Sequence, residues 1–311
     1  MVRKFISIVL MLSVMAFLLG FIYMNLPQEP IEMILDTVVP ERTINITYGD
    51  TPVFMENLRF NHNNISYFIE EDCSEVRRYS MIEAFVIFKN ETGLISFYEI
   101  KNKSNADVSV GCSDDYIELS DNLFIAGEGG PSRIINTSAF KMIEKGKISL
   151  YHDPRCDYPI VGLHELLHVF GFDHSKNPKS IMYNTSKCNQ RISKDMIDLI
   201  DKLYSIEPLA DAVIENLTVI KKGRYLDFNI TVSNDGLIKI DSINLTIFAE
   251  EREFHVIELG ELDIGYSRAL RVTNNKLPSK SVENIKFVLD ANDNIRELNE
   301  ENNFMQMTIS S

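Results

Sequence analysis

The run His164-Glu165-Leu166-Leu167-His168-Val169-Phe170-Gly171-Phe172-Asp173-His174 gathers three of the chain's six histidines into eleven residues. His164 and His168 are four apart, so on a helix they project from one face. Two imidazoles so placed can reach one zinc ion at roughly 2.0–2.1 Å. Glu165 sits one position round the helix, where it serves a metal-bound water rather than the metal itself. Gly171 is where the helix should stop, because a residue without a Cβ takes positive φ and turns the chain back sharply. That turn brings His174 to the same ion as third ligand. Three protein ligands leave a fourth position for water, which is the arrangement of a catalytic zinc. By chance the full pattern arises on the order of once in a hundred thousand. An ordinary buried helix with satisfied histidines is therefore the weaker account.

The surrounding pattern predicts an α+β domain. Ile65–Glu70 reads as a strand. Cys73–Lys89 reads as a helix with Val76, Met81, Ala84, Phe85 and Phe88 near helical spacing, ended by Asn90, Thr92 and Gly93. Ile95–Ile100, Ala106–Val110 and Lys147–Tyr151 are strand candidates. Gly127, Gly129, Gly130 and Pro131 read as a loop. A helix is expected from Ile160 to Phe170. Ser193 is placed to cap a last helix through Tyr204, with Met196, Ile197, Leu199, Ile200 and Leu203 on its apolar face.

The zinc-binding run resembles the signature of the metzincin metalloproteases. Ser175, directly after His174, is the matrixin variant. Ser180-Ile181-Met182-Tyr183 is similar to the Met-turn of that family, where a methionine lies beneath the zinc. The resemblance implies a zincin fold, one catalytic zinc on His164, His168 and His174, and Glu165 as general base. It implies hydrolysis of peptide bonds by a zinc-activated water, and therefore a protein or peptide substrate. It also implies that Lys147–Tyr151 is the edge strand that pairs with an extended substrate. Matrixins usually carry a second, structural zinc, but upstream of the signature this chain has only His62 and His152. One zinc is therefore expected. No cysteine-switch propeptide is evident. The role of Asp173 stays open, with a solvated loop carboxylate as the plain reading.

Pro208 marks a boundary, and beyond it the period falls to two. Leu226, Phe228, Ile230 and Val232 alternate with Asp227, Asn229 and Thr231, and Ile243, Leu245 and Ile247 alternate with Asn244 and Thr246. Further strand-like runs lie at His255–Leu259, Ala269–Val272, Ile285–Leu289 and Met305–Ile309. Six or seven short strands in this span suggest an antiparallel sandwich. The Asp/Asn/Glu-rich run Leu289–Asn303 resembles the end of a CARDB-type, immunoglobulin-like module. That resemblance implies spreading, positioning or binding, with a surface protein or a glycan as partner. Calcium on the acidic run is an alternative to a solvated hairpin, and its spacing fits no EF-hand.

The 311 residues allow two domains. A net charge of −14 and a pI of about 4.9 argue against nucleic acid or anionic lipid as partner. Arg3 and Lys4 precede an uncharged run from Phe5 to Met24, roughly 30 Å long as a helix. An uncleaved transmembrane anchor is preferred to a cleaved signal, and either places residues 28–311 outside the cytoplasm. The expected division is 1–26 anchor or signal, 27–60 stalk, 61–207 protease domain and 208–311 sandwich. Four cysteines in an exported chain read as two disulfides, for which three pairings exist. Neighbours in order, Cys73 with Cys112 and Cys156 with Cys188, are the favoured set, ahead of Cys156 or Cys188 as metal ligands. Nine N-x-[ST] sequons occur, at Asn45, Asn64, Asn90, Asn102, Asn136, Asn184, Asn216, Asn229 and Asn244. Chance would give roughly three, so an extracellular glycoprotein is expected.

The sequence thus predicts an extracytoplasmic zinc endopeptidase with an accessory sandwich. The alternatives are a catalytically silent surface adhesion or binding protein that uses the sandwich, and a zinc hydrolase confined to non-peptide amides or to self-processing.

Overall fold

A computed structural model describes residues 2–25, 31–35, 46, 48, 51–114, 118–120 and 123–309. The first element is helix α1, Val2–Asn25. Among the described residues, no helix is long and apolar enough to cross a membrane. Strand β1, Ile31–Leu35, follows inside the segment expected as a stalk.

The first domain begins with β2 (Leu58–Arg59) and β3 (Asn64–Ile69), then α2 (Glu75–Thr92), β4 (Ser96–Glu99) and β5 (Val108–Cys112). Short strands β6 (Glu118–Ser120) and β7 (Leu123–Phe124) form a separate hairpin. Next come β8 (Gly127–Asn136), β9 (Lys141–Leu150), α3 (Ile160–Val169) and α4 (Lys194–Tyr204). Strands β2-β9-β5-β3-β4 form a parallel sheet, and β8 adds antiparallel to β9.

Helix α2 shows why these residues fold this way. The Ser74 hydroxyl accepts the Arg77 amide at its start, and Gly93 ends it in the left-handed region, donating to Lys89 O. Met81, Ala84, Phe85 and Phe88 are buried against the sheet, while Val76 stays exposed. Phe88 and Phe170 pack ring to ring at 4.7 Å, joining α2 to the segment after α3.

Three expectations are corrected. Gly127, Gly129, Gly130 and Pro131 lie in a strand, not a loop. Lys147–Tyr151 belongs to an interior strand, so the sheet edge is β8 rather than β9. Ser193 is the N-cap residue of α4, but its side chain makes no capping bond there.

The second domain has β10 (Ala212–Lys222), β11 (Tyr225–Asn234), β12 (Ile240–Ala249), β13 (Arg252–Leu262), β14 (Ser267–Lys276), β15 (Asn284–Leu289) and β16 (Phe304–Thr308). One sheet runs β1-β10-β11-β14 and the other β13-β12-β15-β16. Period-two burial drives the pairing, since Leu226, Phe228, Ile230 and Val232 all face one shared core. The stalk segment therefore gives its strand β1 to the sandwich, antiparallel to β10. Residues 51–60 instead pack on the first domain. The Phe54 amide donates to Gly171 O at 3.1 Å and the Asp173 amide to Pro52 O at 2.9 Å.

Candidate metal centre

Helix α3 is buried along nearly its whole length, with Leu163, Leu166, Leu167 and Val169 in the core. This packing fixes the helix and leaves His164 and His168 on one side. Gly171 has φ 94°, and a Cβ there would meet Leu58 Cδ2 at 2.8 Å. Both the backbone angle and the close approach require glycine at this turn. The chain then reverses, and the Phe172 amide donates to Leu167 O at 3.1 Å.

The reversal brings the third histidine in. His164 Nε2 lies 3.1 Å from His168 Nε2 and 3.2 Å from His174 Nε2. Two of the other ring nitrogens are occupied. His164 Nδ1 is 2.7 Å from Ile181 O, and His168 Nδ1 is 2.7 Å from Phe172 O. A carbonyl only accepts, so each Nδ1 carries the proton and each Nε2 presents a lone pair. Burial drives the His164 imidazole down to about 4, outweighing the bond to Ile181 O, with His168 and His174 adding to the fall. His164 is thus neutral at physiological pH, the form that binds metal. Three imidazole nitrogens converging on one point, two of them on rings whose Nδ1 is held by a carbonyl, fit a zinc ion.

Glu165 is 6% exposed. Burial, with the Glu128 carboxylate nearby, pushes it up to about 8. Met182 is buried, and its carbonyl accepts the Ser175 amide at 2.8 Å. The turn Ser180–Tyr183 thereby holds both the chain after His174 and, through Ile181 O, the His164 ring. Asp173 is exposed and its Oδ1 accepts the His174 amide at 2.7 Å. Both disulfides pair neighbours in order, Cys73 with Cys112 and Cys156 with Cys188. Neither Cys156 nor Cys188 is then a thiolate ligand.

Sequence reasoning missed the edge strand's part. A Cβ at Gly129 would lie 2.1 Å from Glu165 O, and one at Gly127 2.9 Å from Glu165 Cγ. Strand β8 therefore runs hard against the Glu165 turn of α3. Glu128, between these glycines, accepts the Tyr151 hydroxyl at 2.8 Å. The glycine spacing 127, 129 was the available signal, a two-residue period that a strand, not a loop, would require.

The Matrixin family model matches residues 59–205, and the CARDB family model matches residues 210–307. Stromelysin-2 of Rattus norvegicus is 42% identical over 60 residues, which are 18% of this chain and 13% of that protein. The chain so spans about an eighth of that relative's length. The crystal structure of the CARDB domain of the PF1109 protein from Pyrococcus furiosus, in complex with di-metal ions, is 18% identical with a TM-score of 0.27. It covers 33% of this chain and 88% of that one. The solution structure of the same domain gives 18% identity and a TM-score of 0.27, covering 33% of this chain and 95% of that one. The chain therefore carries a matrixin domain over residues 59–205 followed by a CARDB domain over residues 210–307.

Proposed function

We propose that this protein is an extracytoplasmic zinc-dependent endopeptidase. The observation that carries the reading is the convergence of three Nε2 atoms, each of two backed by a carbonyl, beside a buried glutamate. His164, His168 and His174 would hold the ion. A zinc ion held there would supply Lewis acidity to a water and to the scissile carbonyl. Glu165 takes the proton of the attacking water and passes it to the leaving amine. A cation at the trio favours the ionised carboxylate and so offsets its burial. Ile181 O and Phe172 O fix the imidazole tautomers and raise their basicity. Among the described residues β8 pairs only with β9, and its outer edge can pair with an extended peptide.

Export is part of the proposal. It is supported by two disulfides, by the apolar N-terminal run behind Arg3 and Lys4, and by the sequons. Every sequon asparagine within the described residues is exposed, while Asn45 lies outside them. A place at the cell membrane through the apolar run Phe5–Met24, or secretion if that segment is cleaved, belongs to the same proposal and rests on the sequence. The CARDB domain is assigned no chemistry, and a surface protein or glycan remains its proposed partner.

The test is cleavage of an unfolded protein by residues 28–311, with and without a zinc chelator, beside Glu165→Gln. One zinc per chain is expected in both proteins. The variant's kcat/KM should fall by about 10²–10⁴-fold. Bound zinc without cleavage in the wild type would favour the silent surface protein, and full activity in Glu165→Gln would remove the mechanism.

A further inference from the structure

Strand β8 meets the candidate site at one end and the CARDB domain at the other. Its first residues press on α3, as the contacts at Gly127 and Gly129 show. Along its ten residues none is fully buried. Its register to β9 slips twice, between Pro131 and Arg133 and between Arg133 and Ile134. Beyond these slips its own domain holds the far half through Ile134 on the core and three ladder pairs to β9.

The far end finds support elsewhere. Ala139 and Phe140 of the β8–β9 turn and Met142 at the start of β9 are buried with Leu237 and Ile264 of the sandwich in one apolar cluster. Ile135, on β8 itself, packs on that cluster. Gly265 has φ 70°, and a Cβ there would meet Ile135 Cγ2 at 2.6 Å and Asn136 O at 3.0 Å. The joint behind this contact is stiff. The Leu237 amide donates to Leu209 O and the Leu298 amide to Ala210 O, so the linker is sewn to the sandwich. Gly236 lies so close to it that a Cβ would be 2.4 Å from Ala210 C.

We propose that the CARDB domain is a brace for the cleft: Ile264 and Gly265 hold the far end of β8 and thereby align the strand that faces substrate beside Glu165. They are positioning residues, since they touch neither substrate nor metal. The kinetic arm of this inference rests on the endopeptidase reading, and the structural arm does not.

The test uses the full chain and two variants. Gly265→Ala wedges the contact, and Ile264→Ala thins it without changing a left-handed residue. Amide hydrogen exchange should quicken across residues 127–136 in both, while α3 and α4 keep their protection. KM for a peptide long enough to pair along β8 should rise about ten-fold with kcat little changed. Adding Ile135→Ala, which removes the methyl that the wedge strikes, should restore much of the loss in Gly265→Ala. Unchanged exchange at 127–136 in variants that stay folded would overturn the brace. So would faster exchange spread evenly over both domains. A wild type that binds zinc and cleaves nothing would undo the endopeptidase reading alone, and the exchange data would still decide the brace.

Discussion

Gly129 and Gly130 are neighbours with opposite demands. A Cβ at Gly129 would sit 2.1 Å from the Glu165 carbonyl oxygen, while one at Gly130 would meet nothing within 4 Å. Gly129→Ala must push β8 away from α3, and such overpacking costs about 1–3 kcal/mol. Its zinc affinity and peptidase activity should both drop. Gly130→Ala should stay within about 0.5 kcal/mol of wild type. Denaturant melts of the pair check this, and equal effects would mean that β8 does not lie where described. The same contact explains why sequence reading placed a loop here. Gly and Pro in a row signal a turn when only local propensity is weighed. These glycines answer a tertiary approach instead, which no local rule sees. The meeting of the three histidines was legible for the opposite reason, since i,i+4 spacing and one turn-forming glycine encode it locally.

Glu297 gives a second residue-scale prediction. It is buried, its Oε2 accepts the Ala212 amide at 2.8 Å, and Glu300, Asp211 and Asp290 surround it. Burial, opposed by that amide and helped by these carboxylates, raises its pKa to about 8. A carboxyl raised on folding contributes its stability below the unfolded value, near 4.5. The contribution drains away as pH climbs to about 8, because the unfolded chain releases its proton first. Wild-type stability should therefore fall between pH 5 and 8, by on the order of 2 kcal/mol. Glu297→Gln keeps the acceptor for Ala212 and loses the charge. Its unfolding midpoint should vary less over that range and exceed the wild type's at pH 8. Parallel pH profiles for the two proteins would refute the assignment.

At the scale of elements, the Cys156–Cys188 bridge ties the segment before α3 to the segment after the Ser180–Tyr183 turn. Arg191 adds to the tie, its guanidinium standing 4.0 Å from the centre of the Tyr158 ring. The loop closed spans 32 residues in sequence, and cross-linking of that length removes about 4 kcal/mol of unfolded-state entropy. Replacing both cysteines by serine should lower stability to urea by roughly that amount. It should also weaken zinc binding, since His164 leans on Ile181 within the tied segment. A zinc affinity equal to wild type would show that the Ser180–Tyr183 turn holds its place without the bridge. Strand β10 marks the limit of pattern reading at this scale. Ala212, Val213 and Ile214 are all buried, and the register to β11 shifts between Ile214 and Asn216. That bulge breaks the alternation by which the other sandwich strands, such as β11, were recognised.

At the scale of the whole molecule, Arg59 holds the point where the chain leaves the first domain for the second. This guanidinium is fully buried. Its Nη1 donates to Ile206 O at 2.8 Å and to Leu203 O, and Nε donates to Phe60 O at 2.9 Å. The Tyr204 ring lies 4.8 Å beneath it. One side chain so closes the end of α4, anchors β2 and fixes the first residue of the linker, while Arg296 pairs with Glu207 just beyond. No sequence period announces such a residue, because two of its carbonyl partners are 144 and 147 positions away. Arg59→Leu would fill part of the space and leave those carbonyls unpaired, at a cost of about 3 kcal/mol. Arg59→Lys should restore little, since an ammonium cannot reproduce the planar fork or its stacking. The expected calorimetric trace is one transition for the full chain and two for Arg59→Leu, the first belonging to the matrixin domain. Two transitions already in the wild type would mean that the domains melt independently and that Arg59 serves only α4.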